Sequence, residues 1–137
     1  MTTARDVMTT GTQCIKEDQT LTEAARMMRD LDVGSLPICG NDEKLHGMLT
    51  DRDIVVRCVA EGGDCMQSRA GDFAQGTIHW VSADTDIDDA LAIMSEHQVK
   101  RLPVLEDHRL VGMISQTDLT KKVDSDRLAD VVTDVYA

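Results

Sequence analysis

Two short stretches hold the side chains best suited to chemistry: Gly47-Met48-Leu49-Thr50-Asp51-Arg52-Asp53 and Gly112-Met113-Ile114-Ser115-Gln116-Thr117-Asp118. Both read Gly, apolar, any residue, Ser/Thr, two residues, Asp. A hydroxyl followed three residues later by a carboxylate marks a helix N-terminus, where the pair caps free N–H groups and contributes about 1 kcal/mol without any ligand. The same groups suit a nucleotide. Free N–H groups and the positive end of a helix dipole favour an anion such as phosphate. Thr50 or Ser115 can donate to phosphate or ribose, and Asp53 or Asp118 can accept from two ribose hydroxyls. Gly47 or Gly112 lets a ligand approach the backbone closely. Spacing alone leaves capping and nucleotide binding both open.

Other chemistries are poorly supplied. Cys14, Cys39, Cys58 and Cys65 have no C-x-x-C spacing, and His46, His79, His97 and His108 form no H-x-x-x-H pair, so no metal site is expected. No nucleophile and base stand at a spacing that argues for catalysis, and the chain is expected not to be an enzyme. Lys and Arg total 14 against 25 Asp and Glu, a net charge of −11, which argues against nucleic acid because phosphate neutralisation needs a basic face. Only Phe73, Trp80 and Tyr136 are aromatic, too few for a base-stacking platform. No apolar run approaches the ~18 residues of a membrane span and no export signal is visible, so the 137-residue chain reads as cytoplasmic.

The elements that must position the two motifs form an internal duplication. At an offset of 66, Asp18 falls on Asp84, Ala24 on Ala90, Met28 on Met94, Val33 on Val99 and Leu36-Pro37-Ile38 on Leu102-Pro103-Val104. One extra residue in a turn of the first copy then brings Gly47 onto Gly112 at an offset of 65. Each copy reads strand–helix–strand–strand–helix. Cys14-Ile15 and Trp80-Val81 are short strands, and Thr20-Leu21-Thr22-Glu23 and Asp86-Ile87-Asp88-Asp89 start the first helices. Ile54, Val55, Cys58 and Val59 predict the apolar stripe of a second helix ended by Gly62-Gly63, and residues 62–72 read as a linker. Met27, Met28, Met48, Met94 and Met113 read as core filler. Leu128, Val131, Val132 and Val135 predict a short C-terminal helix that caps the module or joins a dimer contact. A copy of about 55 residues cannot bury enough surface alone, whereas two packed sheet against sheet can. The expected fold is therefore α+β, two β-α-β-β-α repeats at 1–66 and 67–137.

The paired Gly-x-x-Ser/Thr-x-x-Asp motifs, the two Leu-Pro-Ile/Val strands and the opening Asp6-Val7-Met8 resemble a tandem pair of cystathionine β-synthase (CBS) domains, a Bateman module, over roughly residues 4–123. The run from Leu36 to Gly40, with Leu45 to Val55, is also similar to stand-alone CBS pairs of the hypoxic-response-protein type, which implies a stress-response setting. The resemblance implies a pseudo-twofold pair, a homodimer, an unidentified protein partner, and binding of AMP, ADP, ATP or a related nucleotide in clefts between the copies. It implies no required cofactor. Asp53 and Asp118 would hold ribose, and Thr50 and Ser115 would contact phosphate or ribose. The adenine would lie against Ile15, Pro37, Ile38, Val81, Pro103 and Val104. Lys100 and Arg101 match the family's basic position before the second strand, where the first copy has Gly34 and Ser35. Asp51 adds a carboxylate beside the first motif, with Arg52 as compensation, while Gln116 and Thr117 are neutral. The Ser115/Asp118 cleft is therefore expected to bind better.

A right-handed crossover places the strands bearing Cys14 and Cys39 side by side, ~4.8 Å apart, within reach of a disulfide. A buried pair of free thiols is the alternative in a reducing compartment. Cys58 is expected in the core and Cys65 exposed in the linker. Against the sensor reading stands a ligand-independent structural or protein-interaction dimer, whose motif hydroxyls merely cap helices and which a Cys14–Cys39 bridge could stabilise.

Overall fold

The computed structural model describes residues 2–74, 78–115 and 118–120. The elements run α1 (Ala4–Val7), β1 (Ile15–Lys16), α2 (Leu21–Leu31), β2 (Ser35–Cys39), β3 (Leu45–Thr50), a π-wound helix (Asp53–Val59), a 3-10 turn (Ala70–Phe73), β4 (Val81–Ser82), α3 (Ile87–His97), β5 (Arg101–Glu106) and β6 (Arg109–Ser115). The fold is α+β with two three-stranded sheets, β1-β2-β3 and β4-β5-β6. In each sheet the first pair is parallel and the second antiparallel.

The duplication extends to backbone detail. Ile15 pairs with Ile38 and Val81 with Val104, and the ladder slips after Ile38 in one sheet and after Val104 in the other. Asp32 and Gln98 end α2 and α3 in the left-handed region, φ 55° and 54°. Glu43 and His108, at φ 65° and 64°, turn the following hairpins the same way. These residues take a conformation more often given to glycine because each stops a helix or reverses a strand. Thr20 and Glu23 cap α2 reciprocally, and the Asp86 carboxylate accepts from the Asp88 N–H at α3. The cap motifs thus form where their spacing places them.

Compactness divides the chain differently from the 66/67 boundary of the duplication. One unit is residues 13–78; the other joins the first twelve residues to the chain from His79 onward. The leading segments explain the difference. Ala4, Val7 and Met8 pack with Ile87, Leu102 and Ile114, whereas Ala70, Phe73 and Ala74 pack with Ile15, Leu21 and Ile38. Met8 and Ala74 are equivalent at the 66-residue offset. Each copy's leading segment therefore completes the core of the other copy's sheet.

Residues 62–72 are correspondingly more than a linker. The Leu21 and Thr22 N–H groups donate to the Ser68 and Cys65 carbonyls at 3.0 Å, and the Ala70 and Gly71 N–H groups donate to the Gln19 and Glu17 carbonyls. The segment satisfies donors at the start of α2 that no residue of the helix itself can reach.

The second-helix expectation is corrected in part. In the Asp53–Val59 segment the Ala60 N–H donates to the Val55 carbonyl five residues back. Ile54 and Cys58 are buried, but Val55 and Val59 are 58% and 59% exposed. The stripe assumed for all four residues narrows to two, because the wider winding turns Val55 and Val59 outward. The expected C-terminal helix lies outside the described residues.

Candidate functional site

Each motif sits where an outer strand of a sheet ends. In β2–β3 the register places Ser35 opposite Thr50; in β5–β6 it places Arg101 opposite Ser115. The duplication thus presents one frame with two chemistries. Where the second copy has Arg101 in register with the motif serine, the first has a serine whose buried Oγ has no hydrogen-bond partner. Lys100 is exposed beside Arg101.

Both motifs cap. The Thr50 N–H donates to Asp53 Oδ2 at 2.9 Å, and the Asp53 N–H returns to Thr50 Oγ1 at 3.1 Å. The Ser115 N–H and hydroxyl both donate to Asp118 Oδ2, at 2.9 and 3.0 Å. The carboxylates then differ. Asp118 is only 7% exposed, and its other oxygen accepts from the Thr9 hydroxyl at 2.5 Å. The Asp53 side chain is 23% exposed and faces Arg57 at 3.6 Å. Asp51 and Arg52 beside it are exposed.

Thr9 escaped the sequence reading. It belongs to the leading segment, held to β6 by the Thr9 N–H donating to the Met113 carbonyl and the Met113 N–H donating to the Thr9 carbonyl. A missed signal existed in the duplication, since Asp6-Val7-Met8 aligns with Asp72-Phe73-Ala74, but nothing local said that either segment crosses to the other sheet.

The motif glycines also have a different occupant. A Cβ on Gly112 would lie 2.9 Å from both Met8 Cγ and the Thr9 carbonyl oxygen, and one on Gly47 would lie 2.9 Å from Ala74 Cα. Close approach of the leading segment accounts for glycine at both positions.

The residues expected to face adenine fall on two sides of their strands. Ile15, Ile38, Val81 and Val104 are enclosed in the aliphatic cores of their own units. Pro37 and Pro103 are buried as well, on the alternate face of β2 and β5 from Leu36 and Leu102. Within each unit, then, two of the three apolar residues belong to its own core.

Cys14 and Cys39 are joined by a disulfide with Cα atoms 5.7 Å apart, where the sequence left free thiols open. Cys58 is buried as expected, but Cys65 is half-buried with its Sγ 3.1 Å from Cys58 Sγ, a proximity that sequence spacing did not suggest. His46 Nδ1 lies 2.5 Å from Glu17 Oε1, and the His79 and His97 rings stack at 3.7 Å. Among the described residues no group of three or more His, Cys, Asp or Glu is arranged to hold a metal ion. No helix among them is long and apolar enough to cross a membrane.

The model of the CBS domain family matches twice, at residues 4–59 and 70–125. The chain belongs to the CBS-domain family. Its two matches make it a CBS pair, of a family whose members are generally regulatory rather than enzymatic. It is 47% identical over 132 residues to Hypoxic response protein 1 of Mycobacterium tuberculosis, covering 96% of this chain and 92% of that protein. The crystal structure of Hypoxic Response Protein I with two coordinated zinc ions matches with a TM-score of 0.82 and 50% identity, covering 90% of this chain and all of that one. CBSX2 in complex with AMP shares the fold at a TM-score of 0.76 and 21% identity, over 88% of this chain and 95% of that one.

Proposed function

We propose that this CBS pair is a non-enzymatic cytoplasmic sensor that binds an adenosine nucleotide beside the Ser115–Asp118 motif and transmits occupancy through a change in conformation or assembly. The observation that carries the reading is the strand register that sets Arg101 opposite Ser115. A guanidinium beside a hydroxyl at a helix start offers phosphate charge and fixed donors together. Asp118 is held ready as an acceptor by Ser115, and a ribose hydroxyl can replace Thr9 at its second oxygen. AMP, ADP and ATP all contain the required ribose and phosphate. The AMP complex of CBSX2 supports the ligand class.

Assembly as a homodimer fits the surface. Val55, Val56 and Val59 expose a run of branched apolar side chains on one short helix, an arrangement that favours a protein contact.

A ligand-independent structural role has one specific observation in its favour: both motif carboxylates are already satisfied within the protein. Thermal unfolding in the presence of adenosine, AMP, ADP and ATP separates the two. A nucleotide at 100 times its dissociation constant adds ~2.7 kcal/mol of stability. Arg101→Ala leaves the Ser115–Asp118 cap in place, so it should abolish the advantage of AMP over adenosine while leaving the unliganded protein unchanged. If no nucleotide shifts the wild-type transition, the structural role replaces the sensor.

A further inference from the structure

The four cysteines form two pairs, and the second pair is built with a consequence of its own. Cys58 lies at the buried end of the Asp53–Val59 helix and Cys65 seven residues on. The chain returns between them through Gly62, at φ 75°, with the Gly62 and Gly63 N–H groups donating to the Val59 and Cys58 carbonyls. Gly63 rides directly over the helix end, since a Cβ there would lie 3.2 Å from both the Cys58 carbonyl oxygen and Sγ. Beyond the turn, the Cys65 carbonyl accepts from the Thr22 N–H at 3.0 Å, and the Ser68 carbonyl accepts from Leu21. The loop is thereby anchored at the helix it leaves and at the start of α2. Those anchors hold the two sulfur atoms 3.1 Å apart, within van der Waals contact.

From this geometry we propose that Cys58 and Cys65 are a modification site, a preformed dithiol that a low-molecular-weight disulfide oxidises to a second intramolecular disulfide. Cys65 reacts first because it is the accessible thiol. Its thiolate attacks one sulfur of the small disulfide RSSR, forming the Cys65–S–S–R bond and releasing RS⁻. The Cys58 thiolate then attacks Cys65 Sγ, the Cys65–R sulfur bond breaks, and a second RS⁻ leaves. The two protons lost by the cysteines are taken up by the two leaving thiolates. Two electrons pass from the protein dithiol to RSSR, which ends as two RSH. The hydrogen bond with Cys58, followed by burial, pushes the Cys65 thiol above its ordinary range, so exchange accelerates as pH rises. The product bond cross-links the end of the Asp53–Val59 helix to the segment that caps α2. This inference is independent of nucleotide binding.

The test uses the full chain with its Cys14–Cys39 bond intact, incubated with graded mixtures of reduced and oxidised glutathione and then trapped with N-ethylmaleimide. Trypsin places both cysteines on one peptide, residues 58–69, with no basic residue between them. Under oxidising mixtures that peptide should become two hydrogens lighter and lose both maleimides, and excess reduced glutathione should restore them. Cys58→Ser should stop at a glutathione adduct on Cys65, and Cys65→Ser should leave Cys58 unmodified over the same time. Two maleimides on the peptide at every mixture, a stable glutathione adduct on wild-type Cys65, or a bond between two chains would each overturn the proposal.

Discussion

The two motif regions of this chain share a backbone frame and differ in how their carboxylates are closed. Asp53 stays half-buried, capping its helix and facing Arg57 across 3.6 Å. Asp118 is enclosed, with Ser115 on one oxygen and Thr9 on the other. A repeated sequence motif therefore yields one rim-like site and one sealed site. At Asp118 the leading segment, through Thr9, joins the motif itself in setting the environment of the carboxylate. The corners of the sheets diverge too. Cys14, just before β1, is tied covalently to Cys39 of β2, whereas Arg5 of α1 bonds Glu106 of β5 at 2.8 Å and lies 3.4 Å from Asp84.

The largest expected break in the comparison comes from the covalent corner. Reducing the Cys14–Cys39 bond reopens a loop of 25 residues' separation and should lower stability by about 3 kcal/mol in urea unfolding. Residues 13–78 should lose amide protection before the other unit does. Uniform loss across both units would show that the bond acts on the chain as a whole.

Next in size is the pair of carboxylate deletions. Asp118→Ala removes a buried carboxylate and takes the acceptor from the partly buried Ser115 N–H and from the Thr9 hydroxyl, at a cost of about 2 kcal/mol. Asp53→Ala removes a cap near solvent, worth about 1 kcal/mol. Equal losses in the two variants, read by the same unfolding experiment, would dissolve the distinction between sealed and open sites.

Gly112→Ala and Gly47→Ala test the leading segments at about 1–2 kcal/mol each, the size of an overpacking strain. The added methyl group meets backbone in both cases, the Thr9 carbonyl oxygen in one and Ala74 Cα in the other. Crystal structures of the variants should show the leading segment displaced rather than the strand. A displaced strand would place the rigidity elsewhere.

The smallest effect is electrostatic and belongs to one unit alone. The hydrogen bond and charge of Arg5 hold the Glu106 carboxyl below its ordinary range. Its contribution is complete above the ordinary carboxylate pKa and is lost as pH falls through the lowered folded value. Glu106→Gln should therefore flatten the acid side of the melting-temperature profile slightly and leave neutral pH nearly unchanged, since the pair is solvent-exposed. An unchanged acid limb would mean that Arg5 contributes only packing.

Much of this was legible in the chain. Matching residues at offsets of 66 and 65 announced two copies, and the caps at Thr20 and Asp86 lie where the spacing placed them. The hydroxyl–carboxylate partners of both motifs were legible for the same reason: they are three residues apart and their hydrogen bonds are local. The exposure of Val55 and Val59 was not, because a helical stripe was read on a 3.6-residue period and the segment winds more widely. Nor was the Cys58–Cys65 contact, which depends on the Gly62 turn and on two carbonyls docking at α2.

Local order, duplication and the motif pairs were determined by the sequence itself, since each depends on short-range periodicity or on comparison of one half with the other. Tertiary structure alone decided which half each leading segment completes, what lies against Gly47 and Gly112, and that Thr9 closes on the second oxygen of Asp118. The physical reason is separation along the chain. A contact 109 residues apart leaves no periodicity in either neighbourhood, and only the packing of a completed core chooses it.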